Sequence, residues 1–238
     1  MFSLEEKVTL ITGASRGIGE EVAKLYAKAG AHVIVTSRKL DGVQAVADKI
    51  TASGGKATAL ACHIGEQGAI ETLINEIKQK FGRVDVLVNN AAGKLPTGDF
   101  LDIDSSEWLN GWNQKLQCYV RTVQSIYPIM KRQGGGRIVN VVGTAARNPK
   151  ASYMAVGMTN AALINFNKSV ADRAAADNIL VVGVAPSGVR TERWERLTKG
   201  RAEGEGKTQE QLQAEIDAAL PLGRMAQPEE LGDVICFM

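Results

Sequence analysis

Three glycines near the start of the chain are spaced to bind a phosphate group. Gly13, Gly17 and Gly19 stand in TGASRGIG, between an apolar run and a segment of helical periodicity. Glycine lets the backbone turn sharply and approach a pyrophosphate, and a helix N-terminus supplies N–H donors. The G-x3-G-x-G spacing differs from the commoner G-x-G-x-x-G, but its place in the first strand–helix unit predicts a dinucleotide site. Ser15 is expected to cap this helix or touch phosphate. The predicted contacts are Gly13, Ser15, Arg16, Gly17, Ile18 and Gly19.

The residues after the second apolar run select between dinucleotides. An acidic residue there would bind the ribose hydroxyls and favour NAD, but the chain reads VTSRK, with Ser37 and Arg38 in that place. Arg16 adds a second guanidinium, and two such groups can hold a 2′-phosphate through bidentate hydrogen bonds. The alternative is that both arginines are solvated surface residues. The pattern favours NADP(H) as cofactor, with NAD(H) as the second choice.

Short runs rich in β-branched residues alternate with helical patterns along the chain. Near-continuous apolar strands of this kind are typical of a parallel sheet covered on both faces. The first helical segment places Val22, Tyr26 and Ala29 on one apolar stripe. We therefore predict one domain over residues 1–238 with an α/β fold: a doubly wound parallel sheet, Rossmann-like, in three αβα layers. The predicted strands are 7–12, 32–36, 56–62, 84–90, 137–142 and 179–184.

The segment 198–211 is polar and rich in glycine. Its composition indicates either a mobile surface loop or a lid that closes over a substrate. On the second interpretation, the wider segment 191–220 lines the substrate pocket.

Motifs in the expected order along nearly the whole chain resemble those of the short-chain dehydrogenase/reductase family. TGASRGIG is similar to the family's glycine motif, and VLVNNAA is similar to its V-N-N-A-G strand end. APSGVRT is similar to its P-G-x-x-x-T segment, which contacts the nicotinamide, and residues 221–238 resemble its C-terminal helix. The resemblance implies further cofactor contacts, with His63 where the family has an adenine-site aspartate. They are His63, Ile64, Asn90, Ala91, Ala92, Pro186, Gly188, Val189 and Thr191.

The resemblance also locates the family's catalytic set of asparagine, serine, tyrosine and lysine. The tyrosine is Tyr153, and Gly157 stands where the lysine of Y-x-x-x-K is expected. Gly143 replaces the serine and Lys115 replaces the asparagine, so three of the four positions are altered. A free tyrosine has a pKa of about 10. Losing a well-placed acid–base group costs on the order of 10²–10⁴ in rate.

Two residues could replace the missing groups. Thr144 could supply the hydroxyl, because the stretch from Gly143 to Tyr153 is shorter than the common family pattern; otherwise its hydroxyl binds backbone. Lys115 could present an ammonium from the neighbouring helix; otherwise it is an ordinary surface lysine. The predicted catalytic residues are therefore Tyr153, Thr144 and Lys115.

The resemblance implies an oxidoreductase that interconverts a carbonyl and an alcohol by hydride transfer, with Tyr153 as acid and base. The altered set favours the alternative, a weak or inactive dinucleotide-binding protein with a sensing or scaffolding role. The expected partners are a small carbonyl or alcohol substrate and further copies of the chain, because family members are commonly homodimers or homotetramers. The family adds a last strand after its C-terminal helix, whereas this chain stops at Met238. We expect either a truncated chain or an open sheet edge.

Composition argues against several other classes. The 28 Lys and Arg and 26 Asp and Glu give a net charge of +2, so neither nucleic acid nor an anionic membrane is expected as a partner. No apolar run reaches the roughly 18 residues of a transmembrane helix, and no secretory signal is visible, so a cytoplasmic location is expected. His32 and His63 are far apart, so no metal site is expected. Three cysteines without C-x-x-C spacing predict buried or inert thiols: Cys62, Cys118 and Cys236.

Overall fold

The structure, a computed structural model, describes residues 3–238 apart from the side chain of Gln67. Its six strands are parallel and form one sheet in the order β3-β2-β1-β4-β5-β6, so β3 and β6 lie at the edges. The strand order reverses between β1 and β4, which is where open α/β sheets bind ligands. The predicted fold and strands are confirmed, with every strand end within two residues. The strands are β1 (Val8–Thr12), β2 (His32–Ser37), β3 (Lys56–Ala61), β4 (Val86–Asn89), β5 (Gly136–Val141) and β6 (Ile179–Val184).

Nine α-helices within residues 3–238 connect or follow the strands. None of them combines the length and apolar character that a membrane span requires. A π-helical segment, Asn113–Gln117, joins two of these helices without a break. The helices are α1 (Gly17–Lys28), α2 (Leu40–Ala52), α3 (Gln67–Phe81), α4 (Ser105–Trp112), α5 (Cys118–Arg132), α6 (Met154–Ala174), α7 (Glu192–Glu205), α8 (Gln209–Ala218) and α9 (Pro228–Phe237).

Two hydrophobic cores, one on each face of the sheet, give the three layers. Leu10 of β1 packs into the core formed with α3, α5 and α6, and the next residue, Ile11, packs into the core formed with α1, α2 and α9. Leu87 and Val88 of β4 alternate in the same way. Successive side chains of a strand point to opposite faces, so strands with both faces covered are apolar throughout.

The interpretation of residues 198–211 as a mobile loop is wrong, because most of this segment is helical. Thr191 caps the start of α7 by accepting a hydrogen bond from the backbone N–H of Trp194. Gly206 ends α7 in the left-handed conformation, at a φ of 63°. Thr208 and Gln211 then form a capping box that begins α8. This glycine-rich stretch therefore contains parts of two helices, whose ends are set by their caps.

A chain of polar side chains crosses the sheet beneath its carboxyl edge. The Thr122 hydroxyl donates to Oδ1 of Asn89 at 2.7 Å, and Nδ2 of Asn89 donates to Oδ1 of Asn140 at 2.9 Å. Nδ2 of Asn140 then donates to Oδ1 of Asn167 at 2.9 Å. The first three residues are buried, and a buried amide without a partner costs on the order of 1–3 kcal/mol. The network therefore holds α5, β4, β5 and α6 in one register.

We expect Asn140→Ala to lower the free energy of unfolding by about 2 kcal/mol or more, because it leaves Nδ2 of Asn89 and Oδ1 of Asn167 without their partner. Equilibrium unfolding in urea measures the change. Asn148→Ala is the matched control, since Asn148 is exposed, and its effect should stay within about 0.5 kcal/mol. Equal effects of the two substitutions would contradict a structural role for the network.

Candidate active site

The glycine loop approaches the end of β4 too closely to admit side chains. Gly13 has a φ of 67°, and a Cβ added to it would lie 2.7 Å from Cα of Ala91. A Cβ on Gly19 would lie 2.5 Å from the carbonyl oxygen of Gly13. Asn90 braces this approach, because its Nδ2 donates to the carbonyl oxygens of Thr12 and Gly13, each at 3.1 Å. Glycine at both positions is what lets this loop meet β4.

The first turn of α1 has no side-chain cap. The prediction that Ser15 caps it is wrong, because the helix begins at Gly17 and the N-cap residue is Arg16, which makes no side-chain capping bond. The N–H groups of this turn are therefore available to an anion. A Cβ on Gly17 would lie 3.3 Å from Cγ2 of Thr191. The glycine loop thus meets the residues after β6, as the predicted site requires.

The segment from Pro186 to Thr191 is held from two sides. The carbonyl oxygen of Pro186 accepts a hydrogen bond from the N–H of Thr144 at 3.1 Å. Further along, Gly188 accepts a bond from the N–H of Ala226 at 3.2 Å, and Val189 pairs with Ala226 in a short parallel bridge. The segment therefore joins the loop after β5 to the segment that precedes α9.

The two arginines predicted to bind phosphate are both exposed. Neither Arg16 nor Arg38 forms an ion pair with a residue in the described part of the chain. The hydroxyl of Ser37, at the end of β2, donates to the carbonyl oxygen of Lys39 at 3.0 Å. Two unpaired guanidinium groups beside a glycine loop fit a ligand with an additional phosphate.

His63 carries a buried nitrogen with no hydrogen-bond partner. Its Nδ1 is enclosed, and it lies 3.8 Å from a carboxylate oxygen of Glu66, beyond hydrogen-bond distance. Ile64, by contrast, packs in the core with α3 and α5, so a nucleotide contact would involve its backbone. This orphaned nitrogen is closed to a ligand, so a nucleotide contact at His63 would involve other atoms of the residue. The glycine loop and the two exposed arginines are compatible with a bound dinucleotide.

Lys115 is buried at the carboxyl edge of the sheet, with 7% of its surface exposed. It lies in the π-helical segment, and its Nζ donates to the carbonyl oxygen of Val142 at 2.7 Å and to Oδ1 of Asn160 at 2.8 Å. Burial is the main cause that lowers its pKa to about 8, and the positive charge of Arg193 lowers it further. The interpretation of Lys115 as a surface lysine is therefore wrong.

Gly143 and Gly157, predicted to stand in place of the family's serine and lysine, both have close neighbours. Gly143 has a φ of 129°, and a Cβ on it would lie 2.9 Å from Nδ2 of Asn160. A Cβ on Gly157 would lie 3.1 Å from the carbonyl oxygen of Ala145. The residues around both glycines are therefore arranged for the absence of a side chain, and neither position is an open gap.

Tyr153 is the N-cap residue of α6, and 40% of its surface is exposed. Its hydroxyl makes no hydrogen bond within residues 3–238, including to Lys115 or Thr144. The loop between β4 and α4 lies beside it, because the N–H of Gly98 donates to the carbonyl oxygen of Ser152 at 2.9 Å. Tyr153 is thus open to a ligand.

Thr144 follows Gly143 directly, and its N–H anchors the loop to Pro186. The backbone-bonded alternative for its hydroxyl finds no support, since the hydroxyl makes no hydrogen bond within residues 3–238. Lys115 binds the carbonyl oxygen of Val142, the residue that directly precedes Gly143 and Thr144. The structure therefore brings Lys115, Gly143 and Thr144 together. It adds Asn160, which lies two helical turns after Tyr153 on the same helix face. The seven-residue spacing between Tyr153 and Asn160 was the sequence signal that could have identified Asn160 as a candidate.

The three cysteines are not candidate nucleophiles, although the Cys118 thiol donates to the carbonyl oxygen of Lys115 at 3.0 Å. Cys62 and Cys118 are buried, as predicted, and burial raises the pKa of their thiols to about 11 and about 12 respectively. Cys236 is partly buried, and burial raises its pKa as well. Thiols with raised pKa values are poor nucleophiles. Within residues 3–238, no three His, Cys, Asp or Glu side chains are grouped as metal ligands.

The parallel sheet, the glycine loop at its switch point and the lysine at its carboxyl edge define a dinucleotide-binding α/β protein. A family model described as short chain dehydrogenase matches residues 7–202. The chain belongs to the short-chain dehydrogenase/reductase family and is an oxidoreductase of that type. The resemblance inferred from the motifs is confirmed.

Individual relatives match nearly the whole chain. The 3-oxoacyl-[acyl-carrier-protein] reductase FabG of Escherichia coli (strain K12) is 32% identical over 99% of this chain and 91% of its own length. The NADPH-dependent reductase BacG of Bacillus subtilis (strain 168) is 27% identical over the same shares, 99% and 91%. Among solved structures, L-sorbose reductase from Gluconobacter frateurii, complexed with NADPH and L-sorbose, superposes with a TM-score of 0.94. Its sequence is 28% identical, and the match covers 99% of this chain and 90% of that one.

The burial of Lys115 predicts how stability depends on pH. Its pKa is about 8 in the folded protein, against 10.5 for a lysine side chain in water. Between these values the unfolded chain holds a proton that the folded chain has lost, so stability rises with pH. The free energy of unfolding of the parent protein, measured relative to that of Lys115→Met, should therefore rise by about 2 kcal/mol between pH 7 and pH 10.

Urea unfolding of the parent and of Lys115→Met across this range provides the measurement. Other titrating groups are common to both proteins and cancel in the difference. A difference that stays constant with pH would show that Lys115 is not desolvated.

Proposed function

We propose that the protein interconverts a carbonyl and an alcohol with NADP(H), with Tyr153 exchanging the proton of the substrate oxygen. The observation that carries this proposal is the buried Lys115, bonded to Val142 and Asn160 beside the loop that leads to Tyr153. An ammonium fixed in a site that excludes water acts more strongly on nearby charge than one in solution. Lys115 would thus supply, from the opposite helix, the positive charge that Gly157 lacks.

The chain's own residues suit NADP(H). Arg16 and Arg38 would hold the 2′-phosphate, and the glycine loop with the start of α1 would hold the pyrophosphate. BacG is an NADPH-dependent reductase, and the L-sorbose reductase structure contains NADPH, which supports this choice. When bound, NADP(H) would supply or accept the hydride of the substrate carbon. Residues Asn90, Ala91, Ala92, Pro186, Gly188, Val189 and Thr191 would surround the nicotinamide half of the cofactor.

The proton is handled by the residues at the carboxyl edge of the sheet. Tyr153 gives its hydroxyl proton to the substrate oxygen in the reductive direction and takes it back in the oxidative direction. Lys115, with a pKa of about 8, can be charged or neutral near physiological pH. Thr144 offers a further hydroxyl next to the same loop.

Residues 191–220 are proposed as the cover of the substrate pocket. Thr191 at the start of α7 touches the glycine loop, and Arg190 pairs with Asp217 of α8 at 3.2 Å. Motion of α7 and α8 together would open and close the site to a small carbonyl or alcohol substrate. We also infer homo-oligomeric assembly from the family resemblance, and we propose a cytoplasmic location.

The geometry around Gly157 favours a second candidate function. The carbonyl oxygen of Ala145 lies next to Gly157, and the hydroxyl of Tyr153 has no hydrogen-bond partner within the described residues. A protein that binds NADP(H) for sensing or scaffolding would keep the glycine loop but would reduce a carbonyl slowly or not at all. Turnover at saturating cofactor separates the two candidates.

The Arg16 and Arg38 pair predicts a preference for NADPH over NADH. We expect Arg38→Ala to weaken NADPH binding by about 10-fold or more, since a charge-assisted hydrogen bond contributes about 1.5–3 kcal/mol. NADH binding should change little. Fluorescence titration of both cofactors measures the two dissociation constants. Arg132→Ala, an exposed arginine at the end of α5, is the control, and equal parent affinities for the two cofactors would refute the argument.

The role of Lys115 predicts a loss of activity without a loss of cofactor binding. We expect Lys115→Ala to lower kcat/KM by about 10²-fold or more with NADPH and either ethyl acetoacetate or 9,10-phenanthrenequinone. The NADPH dissociation constant should stay within about two-fold, which is about 0.4 kcal/mol. Lys78→Ala, on the exposed face of α3, is the control.

An unchanged rate in Lys115→Ala would remove Lys115 from the mechanism. A parent protein that binds NADPH and reduces neither ketone would favour the non-catalytic function instead.

A further inference from the structure

Asn160 has a fixed amide orientation. It is buried on α6, with 2% of its surface exposed, and its Oδ1 accepts a hydrogen bond from Nζ of Lys115. A lysine ammonium can only donate, so the amide oxygen must face it. The amide nitrogen, Nδ2, therefore points away from Lys115, and its two N–H groups are directed elsewhere.

The amide nitrogen lies beside Gly143. A Cβ on Gly143 would lie 2.9 Å from Nδ2 of Asn160, and Nδ2 makes no hydrogen bond within residues 3–238. Among the described residues, the enclosed side-chain atoms without a partner are the hydroxyl of Thr36 and Nδ1 of His63. Nδ2 of Asn160 is not one of these enclosed atoms, so it is unpaired without being sealed off completely. An amide donor without a protein acceptor is thus held where the family has its serine.

The helix places Asn160 and Tyr153 on one side. Residues 153 and 160 are two helical turns apart, and side chains on a helix tilt towards its N-terminus. Gly157 lies between them on the same face and carries no side chain to separate them. The Asn160 side chain is therefore expected to lean towards the end of α6 at which Tyr153 is exposed.

We propose that Nδ2 of Asn160 donates a hydrogen bond to the carbonyl oxygen of the substrate. This assignment rests on the proposed carbonyl–alcohol activity. The oxygen gains negative charge as the carbonyl is reduced, and a fixed amide donor stabilises that charge without transferring a proton. The Lys115 ammonium strengthens the donor, because a cation bound at the amide oxygen polarises the N–H groups.

Asn160 also accounts for the glycine at position 143. A serine there would adopt a φ of 129°, which disfavours any side chain, and its Cβ would press on Nδ2. Only one of the two donors can occupy this place. Asn160 and Gly143 are therefore a matched pair, in which the donor comes from α6 and the loop makes room for it.

Asn160→Asp tests the donor with the least change in shape. The carboxylate keeps an oxygen for Lys115, but it cannot donate a hydrogen bond. We expect kcat/KM for ethyl acetoacetate to fall by about 10²–10³-fold, with the NADPH dissociation constant unchanged. Thr159→Val is the control on the same helix, because the Thr159 hydroxyl bonds only the carbonyl oxygen of Ala155.

The pH profile separates the donor from an effect on Lys115. A missing donor lowers the rate at every pH from about 6 to 9, whereas a changed Lys115 pKa moves the profile along the pH axis. A loss that disappears at one end of this range would assign the effect to Lys115 and overturn the proposal. A parent-like rate in Asn160→Asp, or the same loss in Thr144→Val alone, would also overturn it and leave the proposed function standing.

A measurement without turnover uses the protein saturated with NADP⁺, which cannot reduce a ketone. The side-chain amide signal of Asn160 in a ¹⁵N–¹H spectrum is identified by its absence in Asn160→Asp. We expect this signal to shift when ethyl acetoacetate is added. A constant signal, while other signals report ketone binding, would overturn the proposal. A parent that neither binds nor reduces the ketones would overturn the proposed function and this assignment with it.

Discussion

An ammonium group cannot move from water into a protein interior unless acceptors replace its hydration shell. At Lys115 the replacements are the carbonyl oxygen of Val142 and Oδ1 of Asn160. These contacts join the π-helical segment, the end of β5 and the middle of α6 at one point. The inserted residue of a π-turn redirects side chains relative to a regular helix, and here the turn carries the lysine. The geometry of the carboxyl edge therefore depends on the two acceptors that replace water around the Lys115 ammonium.

The nucleotide half of the site is held by a separate set of contacts. Gly13 meets Ala91 at a distance that only glycine allows, and Asn90 ties the two strands together through the carbonyl oxygens of Thr12 and Gly13. None of these contacts involves Lys115. A family that binds its cofactor in one place and transfers protons in another can alter the second function while keeping the first. This separation would allow the combination that the motif resemblance predicts, an intact glycine loop with an altered catalytic set.

The sequence predicts the sheet well because strands buried on both faces are apolar along their whole length. It fails at α7, where glycine-rich composition suggests a loop, although Thr191 and Gly206 define a helix between them. It also allows Lys115 to be interpreted as a surface lysine, since residue type alone favours exposure. The acceptors that bury Lys115 come from β5 and α6, and their approach is a property of the tertiary structure. Asn160 was missed for the same reason.

The motif resemblance predicts three changes from the family's catalytic set, at Gly143, Gly157 and Lys115. In the structure two of them, Gly143 and Lys115, meet at the side chain of Asn160. Lys115 is bonded to the amide oxygen of Asn160, and the amide nitrogen leaves little room for a Cβ at position 143, whose φ of 129° already favours glycine. At Gly157 the carbonyl oxygen of Ala145 would have to give by a few tenths of an ångström to admit a Cβ. Replacing Gly143 by a serine would therefore disturb the side chain that Lys115 binds, so the residues at these two positions are best considered together.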